Sequence, residues 1–165
     1  MKQLVFVVVP FLLALVLAVP ADAGIADSPL PVLITGEKTL HLYSVPGAIA
    51  SGGLATFFSC TSTDTTAMQV GVELFGPAGG APQNDAAATS LSVGPGATVT
   101  FGTSSAVGIS VSSNVGGLFS KGSARILSTS KKLVCTAFVA DISFAPPTSG
   151  WQLTIIKKTT QKAAN

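Results

Sequence analysis

Apolar residues along this chain recur at every second position or in short runs. Gly or Pro interrupts them roughly every 8 to 12 residues, the rhythm of a sandwich or barrel of short strands. The cleanest alternation is Met68-Gln69-Val70-Gly71-Val72-Glu73-Leu74-Phe75. Successive side chains on a strand point to opposite faces. Met68, Val70, Val72 and Leu74 are therefore expected inward, with Gln69, Gly71 and Glu73 facing solvent. Two further runs, residues 54–61 and 133–140, are rich in β-branched and aromatic residues, and each carries one cysteine. Both faces of the second run are apolar, which predicts a central strand.

Other strands are expected at 31–35 and 39–43. Pro31 suits an edge, because proline cannot donate to a ladder. Val45-Pro46-Gly47 reads as a type II turn, with Pro and Gly at the corners that turn requires. Strands 89–93 and 98–101 flank Gly94-Pro95-Gly96 as a predicted hairpin. A weaker strand is expected at 107–111. Strands 124–128 and 133–140 form a second predicted hairpin around Ser130-Lys131-Lys132, and 151–156 is the last strand. Residues 76–87 are a low-complexity loop, and no helix of useful length is expected after Gly24.

The N-terminus lies outside this pattern. Residues 1–23 read as a secretory signal peptide: Lys2 and the free amino group, an apolar run over 4–19, then small residues in Pro20-Ala21-Asp22-Ala23. A membrane span needs about 20 apolar residues, and this run is shorter and ends at a cleavage-like site. Cleavage is expected before Gly24, with cleavage after Ala21 as the alternative. Residues 24–165 then form a single β-sandwich domain, with 24–29 and 158–165 expected to be flexible. No second long apolar run follows, so no membrane span is expected after cleavage, and the destination is periplasmic or extracellular.

Two cysteines behind such a leader are expected to be oxidised to a Cys60–Cys135 disulfide. Closing a loop of about 75 residues is worth roughly 4–5 kcal/mol on the chain-entropy account. About nine strands with cysteines on an early and a late one resemble, in outline, an immunoglobulin-like two-layer antiparallel sandwich. That resemblance implies a bridge between the two sheets. It is architectural only. The tryptophan expected after the first cysteine is absent, since Trp151 lies on the final strand, and Leu133 stands where a tyrosine corner would be.

Charged residues make up only 10% of the chain. A polar surface must then come largely from Ser, Thr, Gly, Asn and Gln, which suits an extracellular β protein. Residues 24–85 hold Asp27, Glu37, Asp64, Glu73 and Asp85 against Lys38. Residues 86–165 hold Lys121, Arg125, Lys131, Lys132, Lys157, Lys158 and Lys162 against Asp141. Nucleic-acid binding would need these bases on one face. In sequence they fall in separate places, so no nucleic-acid partner is expected.

Catalysis has little to work with. His41, the only histidine, sits between Leu40 and Leu42, and alternation points it outward, away from any nucleophile. One histidine and two bridged cysteines cannot assemble a zinc or copper site. The acids are scattered rather than paired, and Asp64, Asp85 and Asp141 lack the local clustering of a calcium loop. Pro77-Ala78-Gly79-Gly80-Ala81 lacks the Gly-Lys-Ser/Thr ending of a phosphate loop. No catalytic residue, cofactor or metal is expected.

Recognition is the better expectation, because loops on a rigid sandwich carry it. In an immunoglobulin-like topology the loops 62–66 and 141–150 emerge at one end and present Ser62, Thr63, Asp64, Asp141 and Phe144. Trp151 with Tyr43 is the only pair available for an aromatic platform, and the phase of Trp151 with Leu153 and Ile155 predicts core packing instead. The chain reads as an exported, non-catalytic binding or adhesive module whose partner is a protein or a surface ligand. The alternative is a pilin- or coat-like subunit that self-associates through strand edges.

Overall fold

A computed structural model describes residues 24–158. The expected signal peptide and residues 159–165 lie outside the described residues. Ten strands carry the chain: β1 (Leu40–Ser51), β2 (Leu54–Ser62), β3 (Met68–Phe75), β4 (Leu91–Val93), β5 (Thr98–Gly102), β6 (Ser113–Asn114), β7 (Lys121–Ser128), β8 (Leu133–Asp141), β9 (Gly150–Gln152) and β10 (Ile156–Lys157). One turn of helix, α1 (Ala86–Thr89), lies between β3 and β4, and the Asp85 carboxylate caps it by accepting from the Ala87 and Ala88 amides.

The strands form two ladders. One runs β4-β3-β7-β1-β10 and the other β6-β5-β2-β8-β9. Every pairing is antiparallel except β5 with β6. Inward side chains of both ladders share one core. Val45, Val70, Val72, Leu74 and Ile126 come from the first, and Phe58, Cys60, Phe101, Leu133 and Ala137 from the second. The domain is therefore an all-β, two-layer protein, and β3 buries the alternate residues that its period of two predicts.

β1 joins the layers. It pairs with β7 from Leu40 to Ile49 and then, at Ala50 and Ser51, with the start of β2. The type II turn expected at Val45-Pro46-Gly47 does not form. The chain bulges there instead, with a register shift between Pro46 and Ala48 and Gly47 at φ 77°. Proline withholds a donor and a left-handed glycine takes the extra residue, so the strand bends without reversing. The reversal comes at Gly52-Gly53, both at positive φ, which is the geometry of a tight two-residue hairpin turn.

The two hairpins predicted from turn signals are crossovers. β4 pairs with β3 while β5 pairs with β2, and β7 pairs with β3 and β1 while β8 pairs with β2. Each four-residue connection, 94–97 and 129–132, arches across the gap of about 10 Å between layers. The last strand also divides, giving β9 to one ladder and β10 to the other. Residues 31–35 are not a strand. Flanking prolines remove donors, the Leu33 amide donates to Thr39 Oγ1, and Glu37 closes a turn onto Ile34. Residues 107–111 are irregular as well. Ile109 and Val111 cover the outer face of the second ladder over Ala55 and Phe57, where Phe57 stacks on Phe138 at 5.4 Å.

Cys60 and Cys135 are bonded, and they are also direct partners in the β2–β8 register, with Cα atoms 4.1 Å apart. The bridge therefore lies within one ladder and does not span the layers as in an immunoglobulin sandwich. β8 pairs with β2 along its whole length but with β9 only from Phe138 to Ala140. It is therefore central in its second half alone, and Val134 in its first half is exposed.

The outer face of the first ladder departs furthest from expectation. Glu73, read as solvent-facing, is buried against Arg125, itself 1% exposed. The guanidinium donates through Nη1 and Nη2 to the carbonyls of Ile25, Ser28 and Pro29 and lies over the Phe75 ring. Segment 24–29, expected to be loose, is thus tied across the ladder. Leu33, Ala86 and Leu127 pack beside it.

Candidate functional site

Four lysines from three separate parts of the sequence meet at one groove. β10 brings in Lys157 by pairing with Tyr43 of β1, and the Lys158 amide donates to the Leu42 carbonyl at 2.8 Å. The β7–β8 connection presents Lys131. Its shape is set by the Ser130 amide donating to Ser128 Oγ and the Lys132 amide donating to Ser130 Oγ. Lys38 enters just before β1. Leu30, Thr39, Leu40, His41 and Leu42 complete the walls of a groove of about 680 Å³. Among the described residues, no carboxylate lines it. Lys132, the next residue along, is instead engaged by Asp64 at 3.3 Å and takes no part.

His41 takes the face opposite Leu42, as alternation predicts, but it is half-buried and sits in the groove wall. Burial, and then the charges of Lys158 and Arg125, hold its pKa down at about 4. A neutral ring at neutral pH has one acceptor nitrogen. Lys158 Nζ lies 3.5 Å from Nδ1, and Nε2 lies 3.0 Å from Ser44 Oγ. With Nδ1 accepting from the ammonium, Nε2 carries the proton and donates to Ser44. His41 thus orients a lysine through its acceptor nitrogen.

The binding loops expected from sequence do not share an end. In the β2–β8 register Ser62 opposes Leu133 while Leu54 opposes Asp141. Asp64 and Asp141 therefore leave opposite ends of a ladder about 25 Å long. Ser62 is buried and Thr63 exposed. The Asp64 carboxylate accepts from Ser130 Oγ, the Thr65 amide and Lys132, which hold its pKa down at about 2. Asp141 accepts from Thr148 Oγ1 and the Ser143 amide, which lower its pKa. Both carboxylates are engaged within the protein, and Phe144 stands exposed near Asp141 alone.

The aromatic platform does not form either. Tyr43 is buried, donating its hydroxyl to the Leu133 carbonyl, and burial raises its pKa. Trp151, expected in the core, is 49% exposed on β9, while Leu153 and Ile155 further along turn in to pack on the core. Among the described residues, no three His, Cys, Asp or Glu side chains gather as metal ligands, and no helix is long and apolar enough to cross a membrane.

Sequence reasoning missed the lysine groove because Lys38, Lys131, Lys157 and Lys158 become neighbours only once β1 has paired with both β7 and β10. The one available signal was the recurrence of Lys-Lys at 131–132 and 157–158, each beside a predicted strand end. No family model, curated protein or solved structure matches the chain.

Proposed function

We propose that the protein is an exported, non-catalytic binding module whose ligand site is the groove between β1, β10 and the β7–β8 connection. One observation carries this reading: four lysines from three parts of the chain converge on a single concave surface that no carboxylate of the described residues lines. Like charges repel when brought together, and a groove of this size falls in the range of small-ligand sites. Export is supported by the Cys60–Cys135 bond together with the leader-like residues 1–23. The reading of a polymerising subunit gains no support from the ladder edges. β4, β6, β9 and β10 are only two or three residues long, and short edges discourage strand addition.

The test is an amide-shift titration of the mature, oxidised protein by NMR. Added inorganic phosphate and a sulfated oligosaccharide should shift the amides of Lys131, Lys157 and Lys158, whereas a neutral oligosaccharide should not. Shifts confined to residues 62–66 or 141–150, or no shift with either anion, would overturn the assignment of the groove.

A further inference from the structure

The groove is charged on its lysine side and apolar beneath. Exposed Leu30 and half-buried Leu40 line the same space as the ammonium groups. Leu30 is 40% exposed, and the chain continues from it into exposed Val32 and Ile34. A site for a small inorganic anion has no use for an apolar wall, and a site for a neutral hydrocarbon would not gather lysines. Among the described residues Lys158 meets the uncharged acceptor His41 Nδ1 and no acid, so its charge is oriented without being paired there. On these grounds we propose that the groove takes an anionic amphiphile. The phosphate-, sulfate- or carboxylate-bearing head lies among Lys131, Lys157 and Lys158, and the hydrocarbon body lies over Leu30 and Leu40. This rests on the groove being the binding site and adds the ligand's chemistry to it.

Both halves of the ligand are needed, and each leaves its own signature. Exposed ion pairs are individually weak and screened by salt, so the head alone binds feebly and more feebly as ionic strength rises. Burying hydrocarbon strengthens binding with chain length, by up to on the order of tenfold for two methylenes. A neutral ligand of equal chain length forfeits the lysines.

The experiment is calorimetric titration of the mature, oxidised protein with butyl, hexyl and octyl phosphate below their aggregation limits. Inorganic phosphate and octyl glucoside serve as the two half-ligands. Octyl phosphate should bind at least tenfold tighter than either, with affinity rising along the alkyl series and falling with salt. The double variant Lys131→Ala/Lys157→Ala should weaken octyl phosphate by about tenfold, and Lys131→Arg/Lys157→Arg should retain it. Leu40→Ser should flatten the dependence on chain length, provided its circular dichroism matches that of the parent.

Sedimentation with vesicles of anionic phospholipid separates the two sources of such a head. Co-sedimentation assigns the ligand to a bilayer, and its absence alongside tight octyl phosphate binding assigns a free amphiphile. Inorganic phosphate binding as tightly as octyl phosphate would overturn the amphiphile while leaving the groove as an anion site. Octyl glucoside binding as tightly as octyl phosphate would remove the role of the lysines. Failure of all the probes, with no shift at Lys131, Lys157 or Lys158, would remove the groove as well.

Discussion

Cys60 and Cys135 face one another across adjacent antiparallel strands, so the disulfide reinforces a pairing that backbone hydrogen bonds already make. The register around it is continuous from Leu54↔Asp141 to Ser62↔Leu133. Replacing both cysteines by alanine should therefore leave the ladder intact and cost stability through the unfolded chain, by about 2–5 kcal/mol. Denaturant unfolding of the double variant measures the loss. Non-reducing mass spectrometry of the parent should find the Cys60–Cys135 link within one chain, and free thiols in protein from its native compartment would contradict it.

The β class was legible because the inward face of β3 keeps a period of two, with Met68, Val70, Val72 and Leu74 all entering the core. Strand partners were not legible. Gly94-Pro95-Gly96 carries the chemistry of a turn, but turn chemistry does not say whether the next strand returns to the same layer or crosses to the other. The Gly52-Gly53 turn did have a local signal, since two consecutive glycines suit the positive φ of both central residues. Glu73 was read as solvent-facing because alternation identifies the face opposite the core. It cannot see that residues 24–39 return to cover that face. The lysine groove is hidden for the same reason, since its members meet only after β7 and β10 have both paired with β1.

Trp151, the only tryptophan, offers a direct check on the division of the last strand. Exposed on β9, it should emit close to the wavelength of free tryptophan and be readily quenched by acrylamide. Substitution Trp151→Ser should change stability by no more than about 0.5 kcal/mol, as for surface positions in general. A blue-shifted, protected emission would place the side chain in the core and put β9 in the wrong register.

Acid should destabilise the protein in two separate steps. The pKa of His41 is lower in the folded protein, about 4 against an ordinary 6.5. The unfolded chain therefore binds the extra proton first, and stability falls as pH drops from about 6.5 to about 4. The pKa of Asp64 is also lowered, to about 2 from 3.8, so its contribution is present above 3.8 and is lost as pH falls towards 2. His41→Gln should abolish the upper step and leave the lower one. Ser130→Ala, which removes the first cause of the Asp64 shift, should shrink the lower step alone. Thermal denaturation between pH 2 and 7.5 resolves the two windows.

Arg125 joins the buried Glu73 carboxylate to the carbonyls of Ile25, Ser28 and Pro29, so one side chain serves both the ladder and the segment that crosses it. Arg125→Met strands a buried carboxylate and should cost about 3–5 kcal/mol, the range for breaking such a pair from one side. Arg125→Met combined with Glu73→Leu removes both charges, and replacing a buried pair by apolar residues of similar volume is often close to neutral. The double variant should therefore regain most of the lost stability. It cannot regain the three carbonyl contacts, because methionine offers no donor. Hydrogen exchange read by mass spectrometry should then show peptides from 24–39 losing protection while β3 and β7 keep theirs. If the segment stays protected in the double variant, apolar packing of Leu33 on Ala86 and Leu127 holds it, and the guanidinium is not its anchor.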